Sequence, residues 1–141
     1  MIKYEITVMT IEHYEEVYQL WKAVEGIGLS KADSKDNVIK LLTRNEGLSF
    51  IVIIDNKIIG AILGSHDGRR GYMHHLAVDL NYRYNGIGKS LVNKCLEKFK
   101  EIGLEKSHIF VFKDNEPAIK FWNRMSYKLR NDISIMSSNI K

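Results

Sequence analysis

The sequence predicts a mixed α/β domain, one sheet with helices on its faces. Ile2, Tyr4, Ile6 and Val8 alternate with polar or charged residues, the period of a half-buried strand. Between Leu48 and Val78 three apolar runs follow one another across short polar turns, as successive antiparallel strands do. Around them, apolar residues recur at helical spacing, the longest stripe being Ile87, Leu91, Cys95, Leu96, Phe99 and Ile102. At 141 residues the chain has the size of one domain, and we expect a single one over residues 1–141.

The elements follow in order. After the first strand, Thr10 can cap a helix whose Tyr14, Val17, Tyr18 and Trp21 form a core stripe. Glu25-Gly26-Ile27-Gly28 breaks it, and Asp33 or Ser34 can cap a second helix carrying Val38, Leu41 and Leu42. The loop between them, Gly26 to Ala32, is flexible enough to form part of a pocket rim. Leu48 to Ile54 and Ile58 to Leu63 make a hairpin across Asp55-Asn56-Lys57, and the polar turn from Ser65 to Gly71 leads into Tyr72 to Val78. The long helix ends near Gly103. Ser107 to Phe112 is a short β-branched and aromatic strand, and Asn115 or Asp114 can cap a helix with Pro117 in its first turn. A hairpin from Tyr127 to about Ser137 would complete a sheet of about seven strands with four helices.

Composition narrows the function classes. The balance of 45% hydrophobic and 27% charged residues argues against disorder, and one cysteine excludes a disulfide framework. Cys95 lies on the apolar helix face and reads as a small core residue. The apolar runs are too short to cross a bilayer, and Met1-Ile2-Lys3-Tyr4-Glu5 lacks the apolar core of a signal peptide, so a cytoplasmic protein with no membrane partner is expected. Residues 1–70 carry nine Lys/Arg against ten Asp/Glu, and residues 71–141 carry twelve against seven. The basic excess therefore sits in the C-terminal half. It suits a small polyanion better than nucleic acid, because no dense Lys/Arg cluster with interleaved aromatics occurs. Scattered histidines give no metal constellation, and none is expected.

The chemistry concentrates at Val78-Asp79-Leu80-Asn81-Tyr82-Arg83-Tyr84-Asn85-Gly86-Ile87-Gly88-Lys89-Ser90, where a strand runs through a turn into a helix. A helix start presents N–H groups without intrahelical acceptors and the positive end of the dipole. Glycines let an anion approach that backbone, and Arg83, Lys89 and Ser90 can add donors. A dinucleotide fingerprint fails at Leu91, where its third glycine should stand. Gly88-Lys89-Ser90 spells the end of a Walker loop, but Arg83 occupies its first glycine position. The turn pattern R/Q-x-x-G-x-G/A is met in full by Arg83, Gly86 and Gly88. With Leu76-Ala77-Val78 before it, and Asn115, Ala118 and Phe121-Trp122 after the next strand, the chain resembles the GNAT superfamily of acetyl-CoA-dependent N-acetyltransferases over essentially its whole length.

That resemblance implies a fold with splayed central strands and acetyl-CoA as cosubstrate. Its turn maps the coenzyme diphosphate onto Arg83, Tyr84, Asn85, Gly86, Ile87 and Gly88, with Lys89 and Ser90 extending the helix start. It maps the pantetheine arm onto the main chain of Leu76, Ala77 and Val78, one of whose N–H groups would polarise the thioester carbonyl. Asn115 matches a position that contacts the cofactor arm, and Trp122 stands where relatives carry a tyrosine acid. An indole N–H is too weak an acid for that role, which leaves Tyr84, Tyr127, water or no acid at all. Dimerisation through sheet edges or helices is common among such relatives, and a homodimer is compatible with it.

Transfer to an amine needs a base, since a free alkylammonium has a pKa near ~10.4. The strand from Gly71 to Val78 carries no carboxylate but offers Tyr72, His74 and His75. Neighbouring strand residues face opposite sides, so at most one histidine should look into the acceptor site unless a bulge intervenes. The alternative for each is an ordinary packed or hydrogen-bonded strand residue. Glu25, at the mouth of the loop, is a candidate for recognising a cationic acceptor, a small amine or a peptide amine; its alternative is an exposed helix-end carboxylate. The expected function is acetyl transfer from acetyl-CoA to an amine by direct attack in a ternary complex. The rival is a non-catalytic coenzyme-binding sensory domain, and a nucleotide-binding switch is a third reading.

Overall fold

The sheet is built outward from β2 (Phe50–Ile54), β3 (Lys57–His66) and β4 (Gly71–Val78), whose apolar runs pair antiparallel in sequence order. β1 (Glu5–Val8) adds antiparallel to β2, and β5 (Ser107–Ile109) adds parallel to β4, giving the order β1-β2-β3-β4-β5. A parallel pair requires a crossover, and α3 (Ile87–Ile102) supplies it. α1 (Tyr14–Ala23) and α2 (Lys35–Arg44) lie between β1 and β2, and α4 (Glu116–Arg124) follows β5. The computed structural model describes residues 2–140. They divide into two compact units, one ending at Phe110 with the sheet and α1 to α3, and one beginning at Val111 with α4.

Each face of the sheet is covered by a different helical stripe. Tyr14, Val17, Leu20 and Trp21 of α1 recur at helical spacing and pack with Val38 of α2 against Ile51, Ile58, Ala61, Leu63 and Ala77. On the opposite face α3 buries Ile87, Leu91, Val92, Cys95 and Phe99. The approach is close: a Cβ on Gly64 would sit 3.4 Å from Cys95 Sγ, and one on Gly71 would sit 2.7 Å from the Phe99 ring. Cys95 is fully buried with its Sγ against the Leu48 carbonyl, and burial pushes its thiol up to about 12, so it packs and does not react. Gly103, at φ +95°, closes α3 as its N–H and that of Leu104 both reach the Phe99 carbonyl.

Four expectations change. Thr10 opens a 3-10 turn, Ile11–His13, ahead of α1. Of the two candidate caps for α2, Ser34 does the capping, accepting the Asn37 N–H at 3.3 Å, and Asp33 is left for another partner. β5 stops at Ile109, three residues short of Phe112. Finally, Tyr127 to Ser137 forms no hairpin, so the sheet has five strands where about seven were expected. Ile133 and Ile135 flank Ser134 as strand residues would, yet strand propensity is realised only where a ladder partner exists. Here Arg130 and Asp132 pair at 2.9 Å across a bend, and Leu129, Ile133, Ile135 and Met136 are exposed.

Gly71→Ala tests the helix–sheet contact. The smaller entropy of the unfolded chain would favour alanine by roughly 0.4–1 kcal/mol, but displacing buried Phe99 costs about 1–3 kcal/mol. We expect net destabilisation in urea unfolding, partly recovered in the Gly71→Ala/Phe99→Leu double variant; additive losses would contradict the contact.

Candidate active site

The turn after β4 is held by its own side chains. Asp79 N–H donates to the Ile59 carbonyl at 2.8 Å, and the Asp79 carboxylate accepts the Asn81 N–H at 2.9 Å, starting a 3-10 turn over Leu80–Tyr82. Arg83 Nε folds back to the Val78 carbonyl at 3.3 Å, and Asn85 Nδ2 donates to the carbonyls of Tyr82 and Arg83 at 3.0 and 3.1 Å. Tyr84 and Gly86, at φ +65° and +74°, then reverse the chain into α3, and Tyr84 is fully exposed. Buried Ile87 anchors the helix start.

The first i→i−4 bond of α3 runs from Ser90 N–H to the Gly86 carbonyl. The N–H groups of Ile87, Gly88 and Lys89 thus precede the helical ladder, at the positive end of a sixteen-residue helix with no acid in its first turn. A Cβ at Gly86 would meet nothing within 4 Å, so the concave side is open to a ligand. Arg83 and Lys89 stand exposed beside it. These residues fit a diphosphate. Ser90 differs from expectation in being engaged already, its hydroxyl 2.7 Å from that of Tyr4.

β4 and β5 pair only over Gly71–Met73 and Ser107–Ile109. His74 to Val78 continue past the last pair while still bonded to β3. The Val78 carbonyl, which accepts from Arg83, lies on the strand edge away from β3, and the N–H of an extended residue shares that edge. Ala77 is buried in the α1/α2 cluster and, opposite Ala61, turns its main chain toward β3, so the expectation that it offers main-chain groups to a ligand is not met; Leu76 and Val78 are half-buried.

A bulge brings the two histidines together. On β3, Leu63 to Ala61 takes two steps, while the matching His74 to Ala77 on β4 takes three. The extra residue falls at His75–Leu76, and His75 adopts φ +53°. Both imidazoles therefore lie on the α1/α2 side, His74 opposite Leu63 and His75 against Trp21, ring centroids 5.0 Å apart. The alternation rule of the sequence reading is broken at this one position.

His75 Nε2 lies 2.7 Å from Asp33 Oδ1, with side-chain exposures of 18% and 10%. Asp33 sits at the end of the 3-10 turn Lys31–Asp33, where its Oδ2 accepts the Ser30 N–H at 3.0 Å and its carbonyl accepts the Tyr14 hydroxyl at 2.6 Å. Trp21 Nε1, although buried, has no hydrogen-bond partner among the described residues. His74 is stacked on Tyr72 and Phe110, at 6.5 and 5.9 Å. Burial, and then the neighbouring His75, lower its pKa and keep it neutral.

Sequence reasoning missed Asp33. Its signal was present but local: Ser30-Lys31-Ala32-Asp33 is a Ser-x-x-acid capping pattern, and the following Ser34 leaves the acid no capping duty toward α2. Glu25 is exposed beyond α1, next to Gly26 at φ +91°. In the second unit, the Asn115 carboxamide caps α4 by accepting the Ala118 N–H at 3.3 Å, and Trp122 packs edge-on against Phe121 and Tyr127. Among the described residues no helix is long and apolar enough to cross a membrane, and no three His, Cys, Asp or Glu side chains gather as a metal site.

Known proteins are similar to this chain in sequence and in fold. An acetyltransferase of Sodalis glossinidius (strain morsitans) is 24% identical over 136 residues, 96% of this chain and 95% of its own length. Ard1 from Thermoplasma volcanium superposes with a TM-score of 0.82 at 18% identity, covering 92% of this chain and 85% of that one. The PaiA N-acetyltransferase from Thermoplasma acidophilum, solved in complex with coenzyme A, superposes with a TM-score of 0.81 at 19% identity, over 94% of each chain. The family model "Acetyltransferase (GNAT) family" matches residues 14–127. The chain belongs to the acetyltransferase (GNAT) family and is an acyltransferase.

Proposed function

We propose that this protein is an N-acetyltransferase that transfers the acetyl group of acetyl-CoA to a primary amine, by direct attack in a ternary complex. The observation that carries the reading is the opening of α3 directly after a strand that has parted from its parallel neighbour: one end offers a diphosphate cradle, the other a main-chain edge. The coenzyme A complex of the PaiA relative supports the same ligand here.

Acetyl-CoA supplies the acetyl group activated as a thioester. The N–H groups of Ile87 to Lys89, with Arg83 and Lys89, bind its diphosphate, and Tyr84, Asn85 and Gly86 shape the turn. The edge at Leu76 and Val78 orients the pantetheine arm, and an N–H there polarises the carbonyl. From the family resemblance alone, Asn115 and Trp122 are further candidates for the cofactor arm. His75 removes the ammonium proton so that the amine attacks as the free base. The N–C bond forms as the carbonyl electron pair moves to oxygen; that pair then reforms the carbonyl as the C–S bond breaks, and the thiolate leaves with the bonding electrons. The remaining extra proton on nitrogen passes through solvent to the thiolate, giving the amide and free coenzyme A thiol. A thiol with pKa near ~8.5 needs no protein acid at neutral pH. Neutral His74 and Tyr72 line the strand face beside the base, and Glu25 attracts a cationic acceptor, a small amine or a peptide amine.

Replacing Gly86 by valine should weaken coenzyme A binding at least tenfold by calorimetry. Gly47 is the control, a glycine of similar φ (+80°) and equally open surroundings, between α2 and β2. Gly47→Val should strain the chain comparably and leave affinity unchanged; equal effects of the two would remove the cradle from this account. For catalysis, thiol release over a panel of amines should fall about 10²–10⁴-fold in His75→Ala, the usual worth of a general base. His74→Ala should keep the wild-type pH–rate profile. Coenzyme binding without transfer to any amine would favour the sensory reading.

A further inference from the structure

Building on the transferase reading, we infer that Asp33 is a positioning residue for the base: its carboxylate accepts the Nε2–H of His75, which leaves Nδ1 as the one basic nitrogen of that ring. A carboxylate only accepts hydrogen bonds, so a 2.7 Å contact requires the proton on Nε2. The carboxylate itself is aimed by the Ser30 N–H on Oδ2 at 3.0 Å and by the Tyr14 hydroxyl, which grips the Asp33 carbonyl. Asp33 is 42 residues from His75 in the chain and reaches it only because the α1–α2 connection folds over the bulge of β4.

A purely structural ion pair accounts poorly for the arrangement. A non-glycine residue at positive φ is strained, and that strain offsets a hydrogen bond to a charged group of similar size, so stability gains little from a histidine where glycine would be unstrained. The cluster is also not closed: the buried Trp21 Nε1–H beside the imidazole has no acceptor among the described residues, and the imidazole keeps more exposure than the carboxylate. Strain, an aimed carboxylate and a spare donor converge on one ring, as in the base–orienter pairs of nucleophilic enzymes.

The test is Asp33→Asn. Asparagine can keep its carbonyl oxygen on the Ser30 N–H, which turns its NH2 toward His75 and demands an acceptor at Nε2, moving the ring proton to Nδ1. Long-range ¹H–¹⁵N spectra of the wild-type protein near pH 7.5 should show His75 protonated at Nε2 with Nδ1 bare; in Asp33→Asn the two should exchange. With acetyl-CoA and a reactive amine, kcat should drop about 10²–10⁴-fold with less than a threefold change in KM for acetyl-CoA. The pH–rate profile should shift, with Asp33→Glu recovering part of the rate. The titratable groups facing His75 are Asp33 from the turn and His74 from β4, with Tyr14 of α1 behind Asp33 on its carbonyl, so spectra of His74 are followed in parallel. A wild-type His75 protonated at Nδ1, or an Asp33→Asn variant with wild-type kcat and profile, overturns the inference. If the wild type acetylates no amine, the transferase reading fails instead, and the nitrogen spectra still decide whether Asp33 sets the tautomer.

Discussion

From His74 to Val78, β4 is bonded to β3 on one side and has passed the last residue of β5 on the other. A sheet normally satisfies main-chain groups on both sides of an interior strand. Breaking that rule at the C-terminal end of β4 creates an edge inside the molecule. The same strand then feeds, through one tightly bonded turn, the N-terminus of α3. Two kinds of unspent backbone donor, strand edge and helix start, come from one stretch of chain. Apart from Arg83 and Lys89, side chains contribute comparatively little there: Ala77 is buried, Asn85 ties the turn to itself, and Ser90 is occupied by Tyr4.

The packing of α3 keeps that geometry in place. Ile87 and Leu91 press toward Gly60, and Phe99 lies over Gly71, where β4 begins and β5 is still paired. The sheet is thus clamped at the paired end of β4, and its helix is clamped at the unpaired end. The opposite face carries the chemistry that a backbone cannot supply. There the bulge at His75 turns one strand into a platform with two adjacent imidazoles, one stacked and neutral, the other bonded to a buried acid.

Much of this was legible from residue pattern alone. The stripe from Ile87 to Phe99 with Gly103 behind it, the asparagine and proline opening α4, and the strand–turn–helix junction at Val78 to Ser90 are local signals, and local rules govern them. The features that escaped are non-local. The bulge uses a histidine at positive φ where glycine would have announced it. Asp33 finds its partner across 42 residues, so neither its capping pattern nor the histidine pair could reveal it alone. Ile133 and Ile135 alternate as strand residues do, but pairing is a property of the partner as much as of the segment.

The account turns on the α3 N-terminus and the free edge of β4 holding one ligand together. Backbone amide spectra recorded through a coenzyme A titration test this most directly. Saturable shifts are expected at Ile87, Gly88 and Lys89, and at Leu76 and Val78, with one common dissociation constant. Shifts confined to other regions, or different constants for the helix start and the strand edge, would contradict it.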